Sequence, residues 1–130
     1  MKVYTEVGHY KATPEVIFEL LSKPENLPKW AITFCKKIEK KEECYYVTSP
    51  NGDEVLFYID ADKSNGIIDM FVGLTKENMW RFPARVTDDN MDGSVFTFTL
   101  IQSPNLTDED FEAQRQGILV ELDEIRKLVE

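Results

Sequence analysis

The apolar residues of this chain keep two rhythms, and the switches between them divide the sequence into elements. Val3 to Tyr10 alternates and predicts a strand. It ends at Lys11-Ala12-Thr13-Pro14, where Thr13 suits an N-cap and Pro14 the first helical position. A short helix follows, with Val16, Ile17, Leu20 and Leu21 on one side and Glu15 and Glu19 on the other. Pro24 ends it, and Pro24 to Trp30 predicts a further helical turn or two carrying Leu27 and Trp30 inward. From Phe34 the period becomes alternating. Strands are predicted at Phe34–Glu39, Cys44–Ser49, Glu54–Ala61, Ile67–Gly73, Met79–Thr87 and Val95–Ile101. Between them stand S-P-N-G-D at Ser49–Asp53, K-S-N-G at Lys63–Gly66 and D-G at Asp92-Gly93, all suited to tight reversals. Strands joined this closely pair antiparallel.

The helical period returns at the end. Thr107 precedes Asp108, Glu109 and Asp110, a capping hydroxyl followed by carboxylates at the positive end of the helix dipole. Phe111, Ile118, Leu122, Ile125 and Val129 form the dry stripe, with Arg126 and Lys127 in the last turns. An antiparallel sheet with one apolar face needs a cover, and this helix is the only element long enough. Its stripe is nevertheless interrupted: between Phe111 and Ile118 it passes through Gln114 and Arg115, with Gly117 beside it.

Composition narrows the function classes. The 130 residues, 42% hydrophobic and 30% charged, suit one soluble α+β domain spanning 1–130. A net charge of −9 argues against nucleic acid, whose phosphates need Lys and Arg. The Lys36-Lys37 and Lys40-Lys41 pairs are interleaved with Glu39, Glu42 and Glu43 and read as a solvated hairpin tip. M-K-V-Y-T-E-V-G-H-Y is no signal peptide and no run reaches membrane-spanning length, so a cytoplasmic protein without membrane insertion is expected. Cys35 and Cys44 are then reduced thiols, on strands flanking one turn that could bring them near each other.

Several phrases carry a family resemblance: T-P-E-V-I-F-E-L-L-S-K-P-E-N-L-P-K-W at Thr13–Trp30, S-P-N-G at Ser49–Gly52 and G-I-I-D at Gly66–Asp69. R-V at Arg85-Val86, G-S-V-F-T-F-T-L at Gly93–Leu100 and the closing amphipathic helix extend it over nearly the whole chain. In this order they resemble the START-like (SRPBCC) superfamily, which includes birch-pollen-allergen-like proteins and polyketide cyclases. The resemblance implies a helix-grip fold, a seven-stranded antiparallel sheet wrapped around a long C-terminal helix, with two short helices between strands 1 and 2. It implies an apolar cavity as well, and leaves the contents open, since members bind lipids, polyketides, sterols, quinones or hormones, some catalyse cyclisation, and one branch serves as chaperone cofactors.

With a cavity beneath the last helix, Gln114 would orient a ligand instead of suffering burial without a partner, although a bond to a loop carbonyl suits it equally well. For Arg115 the favoured reading is a side chain snorkelling off the edge. Asp69 lies in the apolar stretch I-I-D-M-F-V and needs water or a cation, with Arg81 and Arg85 the natural partners if the register allows; the favoured reading is a structural ion pair. Phe57, Trp80, Phe82 and Phe98 supply aromatic area for a wall, although sheet core suits each equally well. The sole histidine, His9, is read as a strand-end surface residue. D-D-N-M-D-G at Asp88–Gly93 imitates half of a calcium loop, but Thr99 stands where that loop needs a glutamate, so a hairpin turn is expected.

The sequence thus predicts a binder of a small, largely hydrophobic molecule, with Phe57, Asp69, Trp80, Phe82, Phe98 and Gln114 as cavity lining. No metal or cofactor is expected, and monomer and homodimer are not distinguished. The alternatives are a cyclase or aromatase-like enzyme in which Asp69 or Tyr58 shuttles protons, and a protein-interaction or co-chaperone-like module with a filled cavity.

Overall fold

The computed structural model describes Met1 to Glu130. Strand β1 (Val3–Tyr10) leads into helix α1 (Pro14–Leu21), a 3-10 turn at Pro24–Asn26 and the single-turn helix α2 (Leu27–Trp30). Strands β2 (Lys37–Lys41), β3 (Cys44–Thr48), β4 (Glu54–Asp62), β5 (Ile67–Thr75), β6 (Asn78–Phe82), β7 (Ala84–Asp88) and β8 (Ser94–Ile101) precede helix α3 (Asp108–Val129). Both expected caps form: the Val16 amide donates to Thr13 Oγ1 and the Asp110 amide to Thr107 Oγ1. No helix is long and apolar enough to cross a membrane.

All pairings are antiparallel, in the order β1-β8-β7-β5-β4-β3-β2, with β6 added to β5 off this path. The sheet has eight strands because the segment expected as one strand, Met79–Thr87, is broken at Pro83. Proline has no N–H for a ladder and therefore sits where pairing is interrupted. Before the break β6 pairs with β5 through Met70↔Phe82 and Val72↔Trp80. After it β7 pairs chiefly with β8, where Ala84 faces Phe98 and Val86 faces Phe96. The lysine-rich tip is the predicted turn between β2 and β3, with Glu42 at φ 57°.

Strand β2 starts three residues later than expected, because Ala31–Cys35 first turns back on itself, the Cys35 amide bonding the Ala31 carbonyl at 2.7 Å. Cys35 is therefore buried in the loop before β2, whereas Cys44 pairs with Lys41 at the far end of that hairpin. Both thiols are free. The expectation that they could lie near each other is corrected by this register.

One sheet face is dry. Ile68, Met70, Phe82, Ala84, Val86, Phe96, Phe98 and Leu100 alternate onto it and are nearly fully buried. Helix α3 covers this face and is tied to β1 by the Tyr10 hydroxyl, which donates to the Leu122 carbonyl at 2.8 Å. Burial pushes the Tyr10 phenol up to about 12, so it remains a donor across the neutral range. Helix α1 packs against β7 and β8, and α2 against α3. Gly66, at φ 67°, ends the K-S-N-G turn where Val86 leaves no room for a side chain.

Candidate functional site

The inner face of α3 runs Phe111, Gln114, Ile118, Glu121, Ile125, a three-four alternation that keeps one line of side chains toward the sheet. Phe111, Ile118 and Ile125 are buried. The two polar members stand over a space that the side chains do not fill. A cavity of about 670 Å³ lies between α3, the dry face of the sheet and the segment Leu27–Phe34. That volume is within the range of about 300–1,000 Å³ typical of small-molecule sites. Fourteen of its 22 lining residues are hydrophobic, including Met70, Val72, Phe82, Phe98 and Leu100 on the sheet. Exposed Asn51 and Asp53 from the β3–β4 turn and Asp110 from the start of α3 rim the opening.

Glu121 is the least expected member of this wall. It is only 2% exposed, yet its carboxylate is well served on one side. The Thr33 amide, the Thr33 hydroxyl and the Phe34 amide all donate to Oε2, at 3.0, 2.5 and 3.1 Å. No protein donor reaches Oε1. Burial pushes the carboxyl up from its ordinary 4.5 to about 7, while the three donors restrain the rise by favouring the charged form. Burial and this carboxylate together raise the neighbouring Cys35 thiol to about 11. Two polar atoms of lining residues, the Trp30 Nε1 donor and the Gln114 Oε1 acceptor, are buried without a partner and are closed off from the open space itself. Such atoms are uncommon in folded proteins, because each loses its hydration without compensation.

Of the residues expected to line a cavity, Phe57, Phe82, Phe98 and Gln114 do so. The Phe82 and Phe98 rings stack with centroids 5.9 Å apart. Asp69 and Trp80 are not in the lining, and both assignments are corrected. Asp69 alternates with buried Ile68 and Met70 and so emerges on the opposite face. There Oδ1 accepts the Ala84 amide at 3.2 Å, and Oδ2 lies 3.9 Å from Arg81 Nη1. It serves the strand break at Pro83, as part of the favoured ion pair; Arg85 instead donates to the Asn65 carbonyl. Trp80 shares the face of Phe82, but its indole N–H donates to the Ile101 carbonyl at 2.7 Å and bridges the seam left where β6 diverges from β8.

The remaining sequence candidates also find their places. Arg115 leaves the stripe sideways, donating to Glu6 Oε1 at 2.7 Å and lying over the Tyr4 ring. His9 is largely exposed and bonds Asp89, whose other oxygen accepts the Met91 and Gly93 amides in the tight β7–β8 turn. Tyr58 is 54% exposed and packs on Phe71, away from the cavity. Gly117 faces Thr33, since a Cβ there would stand 2.8 Å from Thr33 Oγ1. Its missing side chain admits the hydroxyl that binds Glu121.

An antiparallel sheet closed by one long helix defines a helix-grip fold. Solved structures of that class resemble this chain along almost its full length. The crystal structure of Ara h 8.0201 is 18% identical, with a TM-score of 0.70, covering 98% of this chain and 97% of that one. The Aha1 dimer from Colwellia psychrerythraea is 17% identical, with a TM-score of 0.73, covering 100% and 97%. A START superfamily protein from Mycobacterium smegmatis is 10% identical, with a TM-score of 0.67, covering 98% and 96%. No family model and no curated protein matches the sequence. At such identities the likeness establishes architecture, and the chain has the START-like helix-grip fold.

Proposed function

We propose that the protein reversibly binds a small, largely apolar molecule in the cavity beneath α3. The observation that carries this reading is the 670 Å³ of unfilled space, with fourteen hydrophobic residues among the 22 of its wall and Gln114 and Glu121 among the polar ones. Apolar area leaving water drives entry, and the few polar groups fix orientation. The fold supports it as well, being the container that the sequence resemblance leads one to expect. Two rival readings have less support. A cyclase driven by Asp69 or Tyr58 lacks its reacting groups at the cavity, because both side chains emerge on the other face. A pure interaction module calls for a filled interior.

Nile red, an uncharged apolar dye, tests the proposal. Its emission should rise and shift to the blue with wild-type protein. Ala113→Trp, which places an indole at the exposed rim of the cavity, should weaken the response while leaving circular dichroism unchanged. Undiminished dye binding by folded Ala113→Trp would move the binding site elsewhere.

A further inference from the structure

We infer that the cavity selects apolar amines: the preferred ligand carries a protonated amino group at its buried end, seated against Glu121 Oε1. The inference rests on the cavity-binding reading above and adds the chemical class of the ligand.

The charged lining residues are Asp53, Asp110 and Glu121; the lining contains no Lys, Arg or His. A wall with only negative charges repels a carboxylate or phosphate head and attracts a cation. Glu121 makes this local. Its three donors are all neutral groups on Oε2, so the carboxylate is held in place but has no counter-charge. The basic residues of α3 are engaged elsewhere. Arg115 pairs with Glu6 and Glu112, Arg126 with Glu130 and the His9 carbonyl, and Lys127 with Glu124. A buried carboxylate without a cation is unfavourable, and a ligand that brings one removes that penalty on binding. The free Oε1 is where it would dock.

The rest of the wall fits the same ligand. Trp30, Phe34, Phe57, Phe82 and Phe98 contribute aromatic rings, which tolerate a cation better than aliphatic walls do.

Protonation of Glu121 would switch the preference off. Thr33 and Phe34 face it with neutral donors, and the Cys35 thiol beside it is raised to about 11 and stays neutral with it. Asp53 and Asp110 share the cavity at its opening. Between acid and neutral pH the charge at the buried end is therefore that of Glu121.

Dodecylamine, dodecanol and dodecanoate, each below its micellar concentration, test the inference by displacing Nile red. At about pH 8 the amine should compete at least about tenfold more tightly than the carboxylate, with the alcohol between them. In Glu121→Gln, which keeps an acceptor for Thr33 and Phe34, the three should fall within about threefold of one another. Exposed Glu109→Gln, which removes the same charge from the surface, should keep the wild-type order. Lowering the pH to about 5.5 should weaken the amine and strengthen the fatty acid. Equal affinities in the wild type, or an amine preference that survives in Glu121→Gln, would overturn the amine inference while leaving the apolar-binding proposal standing. Absence of Nile red and dodecyl binding altogether would overturn both.

Discussion

The Thr33 hydroxyl donates to Glu121 Oε2 at 2.5 Å, joining the loop after α2 to the middle of α3 across 88 positions of sequence. This bond turns a buried carboxylate from a liability into an oriented group, because the adjacent Thr33 and Phe34 amides converge on the same oxygen. Thr33→Val keeps the side chain's shape and removes one donor of the three. The Glu121 carboxyl should then titrate above its present value of about 7, since the lost bond favoured the ionised form. Unfolding at about pH 8 should become easier by about 2 kcal/mol, the usual loss for a hydrogen bond to a charged group. Carboxyl-carbon NMR titration reads the first effect and urea unfolding the second. An unmoved Glu121 titration would mean that the two amides alone set it.

The same carboxyl gives stability a distinctive pH dependence. Its folded value of about 7 lies above the ordinary 4.5 expected of the unfolded chain, so the folded state holds the proton more tightly. Its contribution is fully present below pH 4.5 and is lost as the pH rises through 7. The loss amounts to about 3 kcal/mol if the whole shift is expressed in folding. The clean quantity is the difference between wild type and Glu121→Gln, because it isolates this group from every other one that changes charge on unfolding. That difference should change in the stated direction between about pH 4.5 and pH 7.5 and then level off. A flat difference in urea midpoints would show that Glu121 ionises in the folded protein as easily as in the unfolded one.

Gly117 illustrates how the loop constrains the helix. An alanine there ordinarily improves helix propensity by about 1 kcal/mol. Here its Cβ would meet Thr33 Oγ1 at 2.8 Å, and a β-branched side chain has little freedom to turn aside. Gly117→Ala should therefore destabilise by about 1 kcal/mol instead of stabilising, and raise the Glu121 titration by displacing its hydroxyl donor. In a Thr33→Ala background the penalty should vanish. Additive effects in that double-mutant cycle would rule out the steric coupling.

These relationships show where the sequence was readable. Thr13 and Thr107 announce their helices through local chemistry, and the turns at Ser49–Asp53 and Lys63–Gly66 likewise carry their own signals, so neither depends on distant partners. Pro83 could have been read as a break within Met79–Thr87, since a proline removes a ladder donor wherever it falls. Phe57, Phe82, Phe98 and Gln114 border the cavity, but strand alternation and helix period mark only an inward face, and Trp80 on the face of Phe82 shows that an inward side chain need not reach the open space. The face of Asp69 is not legible in the sequence because β5 is apolar on both faces, with Ile67 and Phe71 outside and Ile68 and Met70 inside, so alternation carries no parity. Glu121 was hidden by its neighbour. Reading Ile118 to Leu122 as the stripe makes Glu121 look like a polar flank, whereas the line Phe111, Gln114, Ile118, Glu121, Ile125 places it inside. What identifies it as a tolerated buried acid is the pair of amides at Thr33 and Phe34, a long-range contact no local pattern contains.

Asp69 provides the matching test on the opposite face. Its Oδ1 accepts the Ala84 amide immediately after the proline, so it satisfies the first N–H of β7 while Arg81 lies 3.9 Å away. Arg81 is largely exposed, and solvent screening leaves that ion pair little net effect. The amide bond is what matters. Asp69→Ala should cost about 1–2 kcal/mol by leaving the Ala84 N–H without its partner, whereas Asp69→Asn, which retains an acceptor, should cost less than about 1 kcal/mol. Neither change touches the cavity, so Nile red affinity should stay at the wild-type value in both. A loss of dye binding by stable Asp69→Asn would bring the carboxylate back into the binding site, and equal destabilisation by the two variants would transfer its role from the amide to the arginine.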